Sequence, residues 1–176
     1  MALTLLRHAA LHPRDQGQYN GWTDLSIEPS LFKKEKISLL QRQKFDLVYS
    51  SDLVRCTQTL ELMGIKEYSI EKRLREVRFK AHIEGKSFDE ICRLRDYDAS
   101  LLKEEERWHA YVCAESASAF ERRIRHFMAE LPHDKEILIC SHAGTLQKIL
   151  YLLGLSKAKI DYLEFIRIER GLQQLV

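Results

Sequence analysis

Apolar residues fall into short runs, separated by longer stretches in which they recur every three or four positions. The runs at residues 2–6, 45–49 and 137–140 are bounded by polar residues, the pattern of strands covered on both faces. Residues 68–70 predict a further, shorter strand. Helical spacing appears at 31–43 and 53–63, with Gly64 placed to close the second. Residues 86–107 form a longer polar helical stretch with room for a break. An amphipathic helix is predicted over 116–131, with Phe120, Ile124, Phe127, Met128 and Leu131 near one face and Pro132 at its end. Residues 145–153 predict a helix closing at Gly154, and residues 162–168 alternate as a last strand.

Strands alternating with helices imply an α/β fold, a three-layer α/β/α sandwich with a mainly parallel central sheet. In such sheets ligands sit beyond the C-terminal ends of the strands. Functional residues are therefore expected just after the strands.

The length of 176 residues fits one domain, 1–176. No repeat, low-complexity tract or linker interrupts it. Lys+Arg 28 against Asp+Glu 26 leaves a net charge of +2, which gives no general case for nucleic acid or a membrane surface as partner. Cys56, Cys92, Cys113 and Cys140 are widely spaced, unlike a secreted disulfide framework. The first apolar run is too short for a signal segment, and no run approaches the roughly 18 residues that span a bilayer. The expectation is a mature, soluble, cytoplasmic chain with reduced thiols.

The chemistry-bearing residues satisfy the strand-end test. Arg7 and His8 follow the first run directly, and Ser141 and His142 follow the run at 137–140. Arg55 lies just inside the helix after the run at 45–49. Three strand ends thus deliver two arginines and two histidines to one sheet edge. Guanidinium groups pair with phosphate oxygens, and a helix start after His142 adds backbone N–H groups. A zinc site is suggested only by Cys140 near His142, without paired cysteines or an H-E-x-x-H motif. There is no G-x-S-x-G elbow and no Gly-rich loop with lysine, so neither metal nor cofactor is expected.

Here the sequence resembles a known family. Arg7-His8 in LTLLRHAA is similar to the arginine–histidine signature of the histidine phosphatase superfamily, the phosphoglycerate-mutase-like proteins. YNGWTDLSI resembles the family's Gly-x-x-Asp-x-x-Leu stretch, with Gly21 and Asp24 in place and Ile27 for the leucine. SSDLVRCTQT resembles its Ser-Asp-Leu-x-Arg-x-x-Gln-Thr block, and LREVRF its Leu-Arg-Glu segment. AESASAFERR echoes its Gly-Glu-Ser segment, and ICSHAGTLQKIL its second-histidine block. The likeness runs from Leu3 to about Leu155.

The resemblance implies a phosphoglycerate-mutase-like fold and a metal-independent phosphoryl-transfer enzyme. His8 would accept the phosphoryl group. Arg7, Arg55 and His142 would complete the phosphate pocket, and Glu76 would be the proton donor and then the base for water. Asn20 would add a phosphate contact. The chain departs from the family at Ala9, where glycine is usual, and at Ala10, Leu11 and His12. It also departs over 79–85, which leaves Glu84 as the alternative acid.

A mutase must shield its phosphorylated intermediate from water, which takes additional chain. The short tail after Leu155 favours hydrolysis of a small phosphomonoester. The Tyr19 to Asp24 stretch resembles the α-ribazole-phosphate phosphatases. A phosphoglycerate-type mutase, a phosphohistidine protein phosphatase and a non-catalytic phosphate-binding module are the alternatives. Trp22, the 77–85 segment and the 86–107 region are the expected sources of substrate contacts.

Overall fold

The computed structural model describes residues 1–156 and 159–169. Five strands form one sheet in the order β3-β2-β4-β1-β5. They are β1 (Ala2–Arg7), β2 (Leu47–Ser50), β3 (Ser69–Ile70), β4 (Ile137–Ser141) and β5 (Phe165–Glu169). The first four run parallel, and β5 pairs antiparallel with β1. The expected strands are all present, shifted by up to three residues at their ends.

The two central strands explain the site. β1 and β4 lie side by side with Arg7 opposite Ser141, and His8 N–H continues the ladder to the Ser141 carbonyl at 3.0 Å. Residues more than a hundred positions apart therefore leave the same sheet edge together.

Alternation along these strands feeds two cores. Leu3, Leu5, Ile137 and Ile139 join one apolar cluster, and Leu6, Leu138 and Cys140 the other. The first is covered by α3 (Glu105–Val112), α4 (Ala117–Ala129) and α5 (Ala143–Leu152), through residues such as Val112, Ile124 and Ile149. The second is covered by α1 (Val54–Leu62), through Cys56 and Leu60, and by Ile37 and Leu40. Helices on both faces of the sheet make the three layers. All four cysteines are free, and no helix among the described residues is long and apolar enough to cross a membrane.

The helix expected over 31–43 is not formed. Two 3-10 turns, Lys34–Ile37 and Leu40–Arg42, take its place. Neither has a side-chain cap, and only Ile37 and Leu40 are buried while Leu39 is 63% exposed. Two anchors three residues apart suit a three-residue turn, and the exposed Ser38 and Leu39 between them add no buried stripe. The stretch 86–107 is broken as expected. A short α2 (Phe88–Ile91), opened by a Ser87–Glu90 capping box, and a 3-10 turn, Ala99–Lys103, precede α3.

Candidate active site

The sheet edge opens on a cavity of about 210 Å³. Arg7, His8, Arg55, Glu76 and His142 line its floor, and Leu11, Gln18, Tyr19, Asn20, Phe79 and Tyr162 line its walls. All six residues expected from the sequence thus meet at one cavity.

His8 is 4% exposed. Its Nδ1 lies 2.8 Å from the Ala9 carbonyl. A carbonyl can only accept, so Nδ1 carries the proton and Nε2 keeps its lone pair. Burial holds the imidazole well below its ordinary pKa, and Arg55 and Arg7 push the same way. The ring is therefore neutral near pH 7. Ala9 N–H donates to Thr59 Oγ1 at 2.8 Å, and Thr59 donates on to the Arg55 carbonyl. This fixes the backbone that aims the ring.

His142 faces His8 with ring centroids 5.2 Å apart. Arg55 Nε donates to its Nδ1 at 3.0 Å, so the proton is on Nε2, 2.9 Å from Ser51 Oγ. Burial also lowers the His142 pKa well below the ordinary range, with Arg55 the next cause.

Arg55 is 1% exposed. Its Nη1 and Nη2 donate to the Thr23 and Gly21 carbonyls at 2.8 and 2.7 Å. Gly21 is required at this approach, because a Cβ there would stand 2.6 Å from the Val77 carbonyl oxygen. Asp24 Oδ1 accepts Val54 N–H at 2.7 Å and so caps α1, whose own N-cap, Leu53, has no capping side chain. The motif around Arg55 is thus a scaffold in which each polar member has a named partner. Gln58 holds Ile27 N–H, and Asp52 takes both Nε and Nη2 of Arg75.

Glu76 is 9% exposed. Its segment is stitched to the start of α5. Ser141 Oγ donates to the Leu74 carbonyl, and Thr145 Oγ1 donates to the Arg75 carbonyl. Glu76 Oε2 accepts Gly144 N–H at 2.9 Å and Oε1 accepts Val77 N–H at 2.9 Å. From the other side, Trp22 Nε1 and Arg123 Nη2 both donate to the Glu76 carbonyl, at 2.8 and 3.0 Å. Arg123 is held in turn by both carboxylate oxygens of Glu115, which accounts for the glutamate of the Ala114 to Arg123 stretch.

Glu84, the alternative acid, does not line the cavity. Its Oε1 accepts Gly21 N–H at 2.8 Å and Thr23 N–H at 3.0 Å, so it braces the loop that Arg55 grips. Trp22 does not line this cavity either; its ring meets the guanidinium groups of Arg75 and Arg78 while its Nε1 holds the Glu76 carbonyl. From the 77–85 segment Phe79 reaches the cavity, and no residue of the 86–107 region lines it. Trp108 instead packs against Tyr19, which packs on Phe79. Asn20 lines the cavity and is held by its Nδ2, which donates to the Asp15 carbonyl. Tyr162 is a lining residue that no motif marks. Only the pairing of β5 with β1 brings it there.

Similarity to known proteins agrees with this fold. A crystal structure of TTHB049 from Thermus thermophilus superposes with a TM-score of 0.73 at 24% identity, covering 96% of this chain and 94% of that one. A phosphoserine phosphatase from Entamoeba histolytica, crystallised with 3-phosphoglyceric acid, gives 0.77 at 22% identity over 94% and 89%. An Escherichia coli K-12 protein proposed to be an α-ribazole-5′-P phosphatase gives 0.77 at 23% over 98% and 91%. In sequence, a 2,3-bisphosphoglycerate-dependent phosphoglycerate mutase of Pseudoalteromonas atlantica is 37% identical over 60 residues, which are 33% of this chain and 26% of the mutase. The profile of the histidine phosphatase superfamily (branch 1) matches residues 3–168. The chain therefore belongs to the histidine phosphatase superfamily, branch 1.

Proposed function

We propose that the protein hydrolyses a small phosphomonoester through a phosphohistidine formed on His8. The observation that carries this reading is the neutral His8 ring, bonded through Nδ1 to the Ala9 carbonyl and flanked by Arg7, Arg55 and His142. The Nε2 lone pair attacks phosphorus as the bond to the leaving oxygen breaks. Charge spreads over the equatorial phosphoryl oxygens in such a transition state, and the two arginines lie beside them. Glu76 gives a proton to the leaving oxygen. Both its oxygens receive a backbone N–H, and each keeps a further lone-pair direction for that proton. Water, activated by Glu76, then releases phosphate from His8. The two arginines supply the positive charge this chemistry needs, so the reading includes no metal ion.

The walls favour a leaving group without a second anion. The lining arginines are Arg7 and Arg55, both on the floor, while Leu11, Tyr19, Phe79 and Tyr162 are apolar or aromatic. A bisphosphate or phosphoglycerate would bring charge that no lysine or arginine among the described wall residues meets. A neutral alcohol with a flat ring, such as α-ribazole, suits those walls. The mutase reading has the 60-residue likeness in its favour.

The test is hydrolysis of p-nitrophenyl phosphate in EDTA by wild type and His8→Ala, followed by a substrate panel. The expected result is metal-independent activity that His8→Ala abolishes, with α-ribazole phosphate preferred to 3-phosphoglycerate. Activity surviving His8→Ala sinks the nucleophile. Phosphate binding without turnover makes the protein a binding module, and transfer between phosphoglycerates faster than phosphate release makes it a mutase.

A further inference from the structure

Tyr162 reaches the cavity from the chain between α5 and β5. Its ring centroid lies 3.9 Å from the guanidinium carbon of Arg7 and 5.6 Å from the centroid of the His8 imidazole. The same stretch supplies the Ile160 carbonyl, which accepts Arg7 Nη1 at 2.6 Å. Arg7 is thus held at one end by a carbonyl and on one face by an aromatic ring. Its Nε is buried and has no hydrogen-bond partner among the described residues. Arg7 lines the cavity, where its remaining guanidinium N–H groups can donate to phosphate oxygens. The bond to Ile160 by itself would leave a long arginine side chain free to swing those groups away. The ring removes this freedom.

The turn that carries Tyr162 is itself pinned. Arg7 N–H donates to the Glu164 carbonyl at 3.0 Å, and Lys36 Nζ donates to the Tyr162 carbonyl at 3.1 Å. Leu163 has a backbone φ of +58, a region a leucine occupies only where its surroundings impose it. Its side chain is 2% exposed and packs in the cluster with Leu6 and Leu138. With the leucine anchored in that cluster, the preceding residue, Tyr162, faces the cavity.

We propose that Tyr162 is a positioning residue of the phosphate site, whose ring holds the Arg7 guanidinium so that its remaining N–H groups meet the phosphoryl oxygens. This rests on reading the cavity as a phosphate site. The experiment is calorimetric binding of inorganic phosphate to wild type, Tyr162→Phe, Tyr162→Leu, Arg7→Ala and the Arg7→Ala/Tyr162→Leu double variant, with a Tm for each. Tyr162→Phe keeps the ring and should bind within about twofold of wild type. Tyr162→Leu keeps bulk without a π face and should bind about tenfold more weakly, with Tm little changed. In the Arg7→Ala background the leucine should cost nothing further, because the ring acts through that arginine. Equal phosphate affinity in wild type and Tyr162→Leu, or the same loss with and without Arg7, overturns the proposal alone. No phosphate binding by wild type overturns the site reading with it. Should Tyr162→Leu fail to fold, Tyr162→Met takes its place in the same comparison.

Discussion

The carboxylate of Glu76 and the backbone of Gly144 leave no space between them. Oε2 accepts the Gly144 N–H at 2.9 Å, and a Cβ on Gly144 would stand 2.5 Å from Oε1. While Glu76 keeps this place, nothing larger than hydrogen fits at Gly144, the second residue of α5. Gly144→Ala should therefore push Glu76 off its two N–H donors and lower kcat by about 10²-fold, the range general acid–base catalysis contributes. Inorganic phosphate should still bind, since Arg7 and His8 are untouched. Steady-state kinetics with phosphate as competitor check this, and an unchanged kcat would show that Glu76 takes no part in proton transfer.

Stability should fall in mild acid. His8 and His142 both have pKa values well below the ordinary range, held there first by burial and then by Arg55. Below about pH 6.5 the unfolded chain takes up protons on these imidazoles that the folded chain refuses. Stability is then complete above that pH and is lost as pH drops, by on the order of 1 kcal/mol per imidazole per pH unit. Urea midpoints at pH 7.5 and 5.5 measure the slope. The His8→Gln/His142→Gln double variant should flatten it, and an equal slope in both proteins refutes the assignment.

Asp24 supplies the cap that Leu53 cannot. Asp24→Ala leaves the Val54 N–H without its 2.7 Å acceptor, which should destabilise the protein by about 1 kcal/mol. For a chain of this size that is a Tm lower by about 2–4 °C. Asp24→Asn keeps an acceptor oxygen and should recover most of the difference. A thermal melt of the three proteins decides, and equal Tm values would remove the capping role.

Much of the site could be read locally, because a strand end is a short-range signal. Arg7 and His8 follow an apolar run directly, as Ser141 and His142 do, and the parallel pairing of β1 with β4 does the rest. What could not be read depends on how loops fold back. Glu76 and Glu84 are both carboxylates near one arginine-rich stretch. Only the return of the 79–85 loop onto Gly21 and Thr23 commits Glu84 to bracing and leaves Glu76 for the cavity. Residues 31–43 have helical spacing, yet only Ile37 and Leu40 are buried, so two tight turns replace the helix. Tyr162 has no sequence signal at all. Its place follows from the antiparallel return of β5 and from the left-handed Leu163 beside it.

The cationic cavity also links occupancy to thermostability. Arg7, Arg55 and His142 meet only in the folded chain, so an oxyanion they hold binds that state alone. Ligands that bind here therefore raise the melting temperature in proportion to the logarithm of their concentration over Kd. A thermal-shift screen of phosphate esters can rank candidate substrates on the His8→Ala protein, where nothing is consumed during the scan.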